Sequence, residues 1–124
     1  MHHIFQSHHP LRHAKSFKYA FEGIFHAIIN EANFRIQVII VAISVWLGFH
    51  YEISNVEWGI LILSMGALLS AEMLNTVVEE LMDFFVKDEN VVAKIIKDIT
   101  AGFVLVTAIT ALLILILIFG NRIL

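Results

Sequence analysis

Charged residues interrupt this chain at only a few places, and the gaps between them set its architecture. Residues 36–51, 58–71 and 99–121 contain no Asp, Glu, Lys or Arg. A helix crossing about 30 Å of hydrocarbon needs about 20 predominantly apolar residues. The third gap meets that length alone, and the first meets it by borrowing from the preceding FRIQ stretch or the following loop. The second does so only by running on through Glu72 and Glu79 to about Val86. Ahead of the first gap, Ala14, Phe17, Phe21, Ile24 and Ile28 recur at helical spacing, with Lys15, Lys18, Glu22 and His26 on another face. That pattern predicts an amphipathic helix lying in a membrane interface. The expected fold is an all-α membrane protein, with a surface helix over about 12–30 and transmembrane helices over about 33–50, 57–86 and 96–120. Together they form one membrane-embedded domain over 11–124.

Composition agrees with a bilayer as solvent. Hydrophobic residues make up 59% of the chain and charged residues 15%, against roughly 45–50% and 25% in soluble domains. A length of 124 residues allows one domain. The absence of Cys excludes a disulfide framework, a thiolate metal site and a cysteine nucleophile. A net charge of −3 gives no sign of a nucleic-acid surface. The opening MHHIFQSHHPLRHAK lacks the apolar core and cleavage site of a signal peptide. Its histidines (His2, His3, His8, His9 and His13) are read as belonging to a flexible tail, with residues 1–10 outside the fold, rather than as a metal site.

Lysine and arginine set the orientation. Arg12, Lys15, Lys18 and Arg35 precede the first span, and Lys87, Lys94 and Lys97 lie between the second and third. The loop between the first and second spans has no basic residue, and Arg122 stands alone near the end. The basic side should be the cytoplasm. Trp46, Tyr51 and Trp58 fall near the opposite interface, as an aromatic belt does.

The chemistry begins with acids at membrane depth. Glu72, Asn75, Glu79 and Asp83 stand at i, i+3, i+7 and i+11, within roughly 80° of one another on a helix. An ionised carboxylate in hydrocarbon costs several kcal/mol, so this stripe must face a protein interior, a cation or water. Glu80 lies off the stripe. Lys94, Lys97, Asp98 and Ala101 share a face at the start of the third span, and Glu31 and Arg35 stand four apart at the start of the first. Carboxylates for a metal and cations for phosphate would thus meet at one membrane face. Phosphoryl transfer fits this set, because Mg²⁺ takes one or two protein carboxylates and completes its shell with water and phosphate oxygens. A positioned carboxylate can accept the attacking hydroxyl's proton. Glu72, the deepest acid, suits that role, since a lipid hydroxyl arrives from the bilayer side. Two other readings fit the same residues: boundary salt bridges that hold three helices together, and a polar stripe lining an ion pathway in a small oligomer.

The segments EMLNTVVEELMDF and AKIIKDITAG resemble the prokaryotic diacylglycerol kinase and undecaprenol kinase family. Its pattern is E-x-x-N-[ST]-x-x-E-x-x-x-D followed by a K-D pair, here Glu72, Asn75, Thr76, Glu79, Asp83, Lys97 and Asp98. The upstream NEANFR matches the family's segment with a metal-binding acid, here Glu31, and the resemblance runs from about Arg12 to Phe119. It implies an ATP-dependent lipid kinase of a bacterial cytoplasmic membrane, with Glu72 as general base and Glu31 and Glu79 holding the Mg²⁺ that accompanies ATP. Asn75 would order the site, and Lys97 would contact the terminal phosphates. Asp83, Asp98, Arg12 and Tyr19 would support the nucleotide, and Arg35, Ala101 and Glu72 would meet the lipid. The family forms homotrimers with shared active sites, and the small residues Gly66, Ala67, Ser70, Ala71, Ala101 and Gly102 would permit the close packing this requires. One loop departs from the pattern. Where the family often has an acidic-Tyr-His run, this chain reads Lys87-Asp88-Glu89-Asn90. Asp88, Glu89 and Asn90 are still carried over as nucleotide contacts. For the lipid, the KDITAG sequence, the VEW before the second span and the LVTAITALLILILIF ending look more like the undecaprenol kinases than the diacylglycerol kinases.

Overall fold

The computed structural model describes residues 10–124. Residues 1–9, and with them most of the expected tail and four of its histidines, lie outside the described residues. The rest is helical: α1 (Pro10–Asn30), α2 (Ala32–His50), α3 (Asn55–Phe85) and α4 (Val91–Ile123). The last three are each long and apolar enough to cross a membrane. At 1.5 Å per residue α2 is about 28 Å long, whereas α3 and α4 reach about 46 and 50 Å, well past a hydrocarbon core of about 30 Å. Most of the charged residues of both helices lie toward their ends, while Glu72 stands in the middle of α3.

Helix boundaries follow from local chemistry. Pro10 opens α1, where a missing N–H costs nothing. A single extended residue, Glu31, separates α1 from α2. The end of α1 is held from both sides of that break. Asn30 Nδ2 donates to the His26 carbonyl at 2.9 Å, and Arg35 reaches back to the carbonyls of Ile28 and Ile29 at 3.0 and 2.7 Å. A cation on the last carbonyls is the favourable placement at a helix C-terminus. At the end of α2, Glu52 takes φ 49°, while Ile53 N–H bonds Gly48 O and Glu52 N–H bonds Phe49 O. This is a Schellman motif with glutamate in the left-handed position usually given to glycine. Ser54 then caps α3 through a reciprocal box with Glu57. Asn90 caps α4 by accepting from Val92 and Ala93 N–H at 2.9 and 3.1 Å, which starts α4 ahead of its uncharged segment.

The core lies between α3 and α4, in the half of the molecule near the α2–α3 turn and the end of α4. Ile53, Leu61, Met65 and Leu68 pack there against Ala111, Ile118 and Phe119. Gly48 is required by close approach, since a Cβ at that position would stand 2.5 Å from the Trp58 ring. Of the small residues expected to mediate packing, Ala71 is buried within the chain. Gly66, Ala67, Ser70 and Ala101 are exposed, and a Cβ at Gly66 or Gly102 would meet nothing within 4 Å. Large apolar side chains such as Leu63 and Leu117 stand 75% and 80% exposed. Among spanning helices that exposure is what a lipid solvent accommodates.

The buried face of α3 positions the site. Leu61, Met65, Leu68, Glu72 and Asn75 form one stripe at alternating steps of four and three, widened by Ser64 and Ala71. The ridge that packs against α4 at one end therefore turns polar partway along the same helix.

Candidate active site

Four acids and amides meet where that stripe changes character. Glu72 is only 3% exposed. Its Oε2 accepts from Gln37 Nε2 of α2 at 3.1 Å, and the charges of Glu31 and Glu79 both act on it. Asn75, also buried, donates from Nδ2 to Glu79 Oε1 at 3.3 Å. Its Oδ1 is buried without a hydrogen-bond partner, as is Gln37 Oε1. Thr76 ties its hydroxyl to the Glu72 carbonyl at 3.1 Å. The polar stripe grades outward from buried Glu72 and Asn75, through half-buried Glu79, to exposed Asp83.

Two clefts flank these residues. One, of about 350 Å³, takes polar lining only from Asn33, Gln37 and Glu72; the rest of its wall is apolar, including Ile40, Leu68, Val104 and Leu112. The other, of about 570 Å³, lies at the α3–α4 connection and is lined by Asp83, Asp88, Glu89, Asn90, Lys94 and Lys97 among others. Lys97 donates to Asp83 at 2.5 Å, and the charge of Glu79 also acts on it. Asp98 pairs instead with Lys94 at 2.6 Å, both exposed. The sequence neighbours Lys97 and Asp98 thus serve different ion pairs.

The remaining expected residues are placed as follows. Glu31 is half-buried at the α1–α2 break. Asp88 and Glu89 line the larger cleft, and Asn90 lines it while its Oδ1 caps α4. Arg35 is engaged with the end of α1. Ala101 is exposed on α4. Arg12 and Tyr19 are exposed on α1, and among the described residues no hydrogen bond or ion pair joins their side chains to the α3 acids. Gln37 was not among the residues singled out from the sequence. Its signal was its standing as the one amide in the uncharged run 36–51.

Among the described residues no three acids or histidines gather closely enough to cage a metal unaided. Mg²⁺ that arrives with a nucleotide needs only one or two protein carboxylates. Glu79 stands on the same face of α3 as Glu72, and the unpartnered Asn75 Oδ1 between them offers a neutral oxygen. This donor set fits such an ion.

Comparison with known proteins places the chain in a family. The family model described as prokaryotic diacylglycerol kinase matches residues 18–119. The undecaprenol kinase of Bacillus subtilis (strain 168) is 36% identical over 108 residues, covering 87% of this chain and 88% of that protein. A diacylglycerol kinase of Synechocystis is 31% identical over 100 residues, covering 80% of this chain and 57% of that protein. One from Helicobacter pylori is 30% identical over 96 residues, covering 72% and 75%. The family match takes in Glu31, both clefts and the whole acidic stripe. On that evidence the chain belongs to the prokaryotic diacylglycerol kinase family, whose members are membrane lipid kinases.

Proposed function

We propose that this protein transfers the γ-phosphate of Mg·ATP to the hydroxyl of undecaprenol at the cytoplasmic face of a bacterial membrane. The observation that carries this reading is Glu72: a carboxylate 3% exposed, bonded to Gln37 and sharing with it and Asn33 the wall of an otherwise apolar cleft. A long-chain alcohol can rest its chain on Ile40, Leu68 and Leu112 and present its oxygen to Glu72. Glu72 accepts the hydroxyl proton as the lipid oxygen forms its bond to the γ-phosphorus. The bond from that phosphorus to the β,γ-bridging oxygen breaks, and ADP leaves with the electron pair.

Around that transfer, Glu79 and Glu31 would hold Mg²⁺, with Asn75 fixing Glu79 through its amide. The ion supplies charge neutralisation on the phosphates. Lys97 approaches the terminal phosphates from the larger cleft, leaving Asp83 to do so. Asp83, Asp98, Asp88, Glu89 and Asn90 surround the rest of the nucleotide, and α1 contributes Arg12 and Tyr19 from the membrane surface. The outward-facing small residues of α3 and α4 support a homotrimer, in which neighbouring copies complete the site.

Undecaprenol is preferred because the relative at 36% identity carries that activity in its name, and because Ala101-Gly102 follows the K-D pair. Diacylglycerol is the second reading, supported by the names of two further relatives. The test is transfer of labelled γ-phosphate by purified protein with Mg²⁺ to each lipid in mixed micelles. Label in undecaprenol is expected; preferential label in diacylglycerol reverses the choice of lipid, and label in neither overturns the kinase reading.

A further inference from the structure

Glu72 has one side-chain partner from another helix, and that partner lies outside the family motif that the sequence presents. Gln37 Nε2 donates to Glu72 Oε2 at 3.1 Å. Among the described residues this is the only side-chain hydrogen bond joining α2 to α3. The other end of the same amide, Oε1, is buried with no partner. An amide kept only for packing is expected to have both ends satisfied, because an unpaired buried oxygen is costly. Leu, Ile or Val would fill the position without that cost, as they do at the neighbouring α2 positions Ile36, Val38, Ile39 and Ile40.

The geometry says what the amide does. The terminal torsion of a glutamate is broad and roughly two-fold, so a carboxylate held at neither oxygen turns freely. A general base must instead aim one lone pair at the incoming hydroxyl within hydrogen-bond reach. With Oε2 engaged by Gln37, the carboxylate plane is fixed and Oε1 is the oxygen left for the acceptor. Both residues line the same apolar cleft, so the fixed oxygen and the alcohol meet in one space.

We infer that Gln37 is a positioning residue for the phosphoryl transfer, holding Oε2 of Glu72 so that Oε1 faces the lipid hydroxyl. This rests on the lipid-kinase reading above. The same arrangement is repeated about two turns along α3, where Asn75 Nδ2 holds Glu79 Oε1 and leaves its own oxygen buried and unpartnered. Base and metal ligand are each oriented by an amide.

The test compares wild type, Gln37→Met and Gln37→His as full-length protein in one micelle preparation, measuring kcat and KM for lipid and for ATP. Methionine keeps length and packing but cannot donate, whereas histidine restores an N–H at similar reach. Gln37→Met is expected to lower kcat by up to roughly 100-fold, the scale that a small misplacement of reacting groups carries. Both KM values should stay near wild type, the mark of an interaction that matters in the transition state. Gln37→His should recover most of the loss. Wild-type kcat in Gln37→Met, a loss confined to the KM for lipid, or histidine no better than methionine would each overturn the role of Gln37 while leaving the kinase reading intact. A wild-type protein that labels neither lipid overturns both.

Discussion

At the scale of single residues, the site is a set of acids whose environments differ although their helix is the same. Glu72 and Asp83 stand on one face of α3, yet the first is 3% exposed and the second meets solvent and Lys97. Depth along the helix, rather than residue type, separates the buried acid from the solvent-facing one. If Glu72 is the base, Glu72→Gln keeps its size and its place beside Gln37 but removes the proton acceptor. Turnover should fall roughly 100- to 10,000-fold, with ATP binding by equilibrium titration unchanged; full activity would remove Glu72 from that role. Glu79→Ala tests the metal assignment separately. Higher Mg²⁺ should be needed for half-maximal rate, and an unchanged Mg²⁺ titration would count against Glu79 as ligand. The acids were legible from sequence because a carboxylate inside a long apolar run is costly and must have a purpose. Gln37 was not, because an uncharged amide costs far less and nothing in α2 alone shows which way it faces.

At the scale of elements, α3 does two jobs with one stripe. From Leu61 to Leu68 it packs against α4, and from Glu72 onward it carries the acidic stripe. A stripe that continues without changing helical phase keeps Glu72 in rigid register with the core. The approach of α2 to α3 at the opposite end depends on Gly48, whose absent side chain leaves room for the Trp58 ring. Gly48→Ala should lower stability by about 1–3 kcal/mol, as overpacking does, read as a lower unfolding temperature in detergent. Adding Trp58→Ala should remove most of that penalty. Gly59→Ala, where a Cβ meets nothing within 4 Å, serves as the control. If Gly48→Ala melts with wild type, the helices do not approach so closely in the assembled protein.

At the scale of the whole molecule, charge sorts to two ends. The first turn of α3 and the end of α4 are joined by the paired Glu57 and Arg122, at 2.7 and 3.0 Å. The other end holds the break at Glu31, both lysine–aspartate pairs and the larger cleft. Lysines and arginines favour the second end, which predicts that it faces the cytoplasm. Because the chain has no cysteine, single cysteines report this directly. Glu52→Cys should react with a membrane-impermeant maleimide in intact cells, and Lys87→Cys only after permeabilisation. The reverse pattern would invert the topology and place the acids away from ATP.

The sequence by itself determined that the chain has three long apolar helices, that one of them carries a graded acidic face, and that those acids match a lipid-kinase pattern. These are properties of one helix at a time, set by the cost of charge in hydrocarbon and by the 3.6-residue repeat. Only the tertiary structure decided which side chains meet. It paired Gln37 with Glu72, sent Lys97 to Asp83, and laid Trp58 over Gly48. Each of these depends on how a helix is rotated about its own axis and slid against a neighbour far away in sequence. That rotation and register are set by packing between helices, which no periodicity within a single segment encodes.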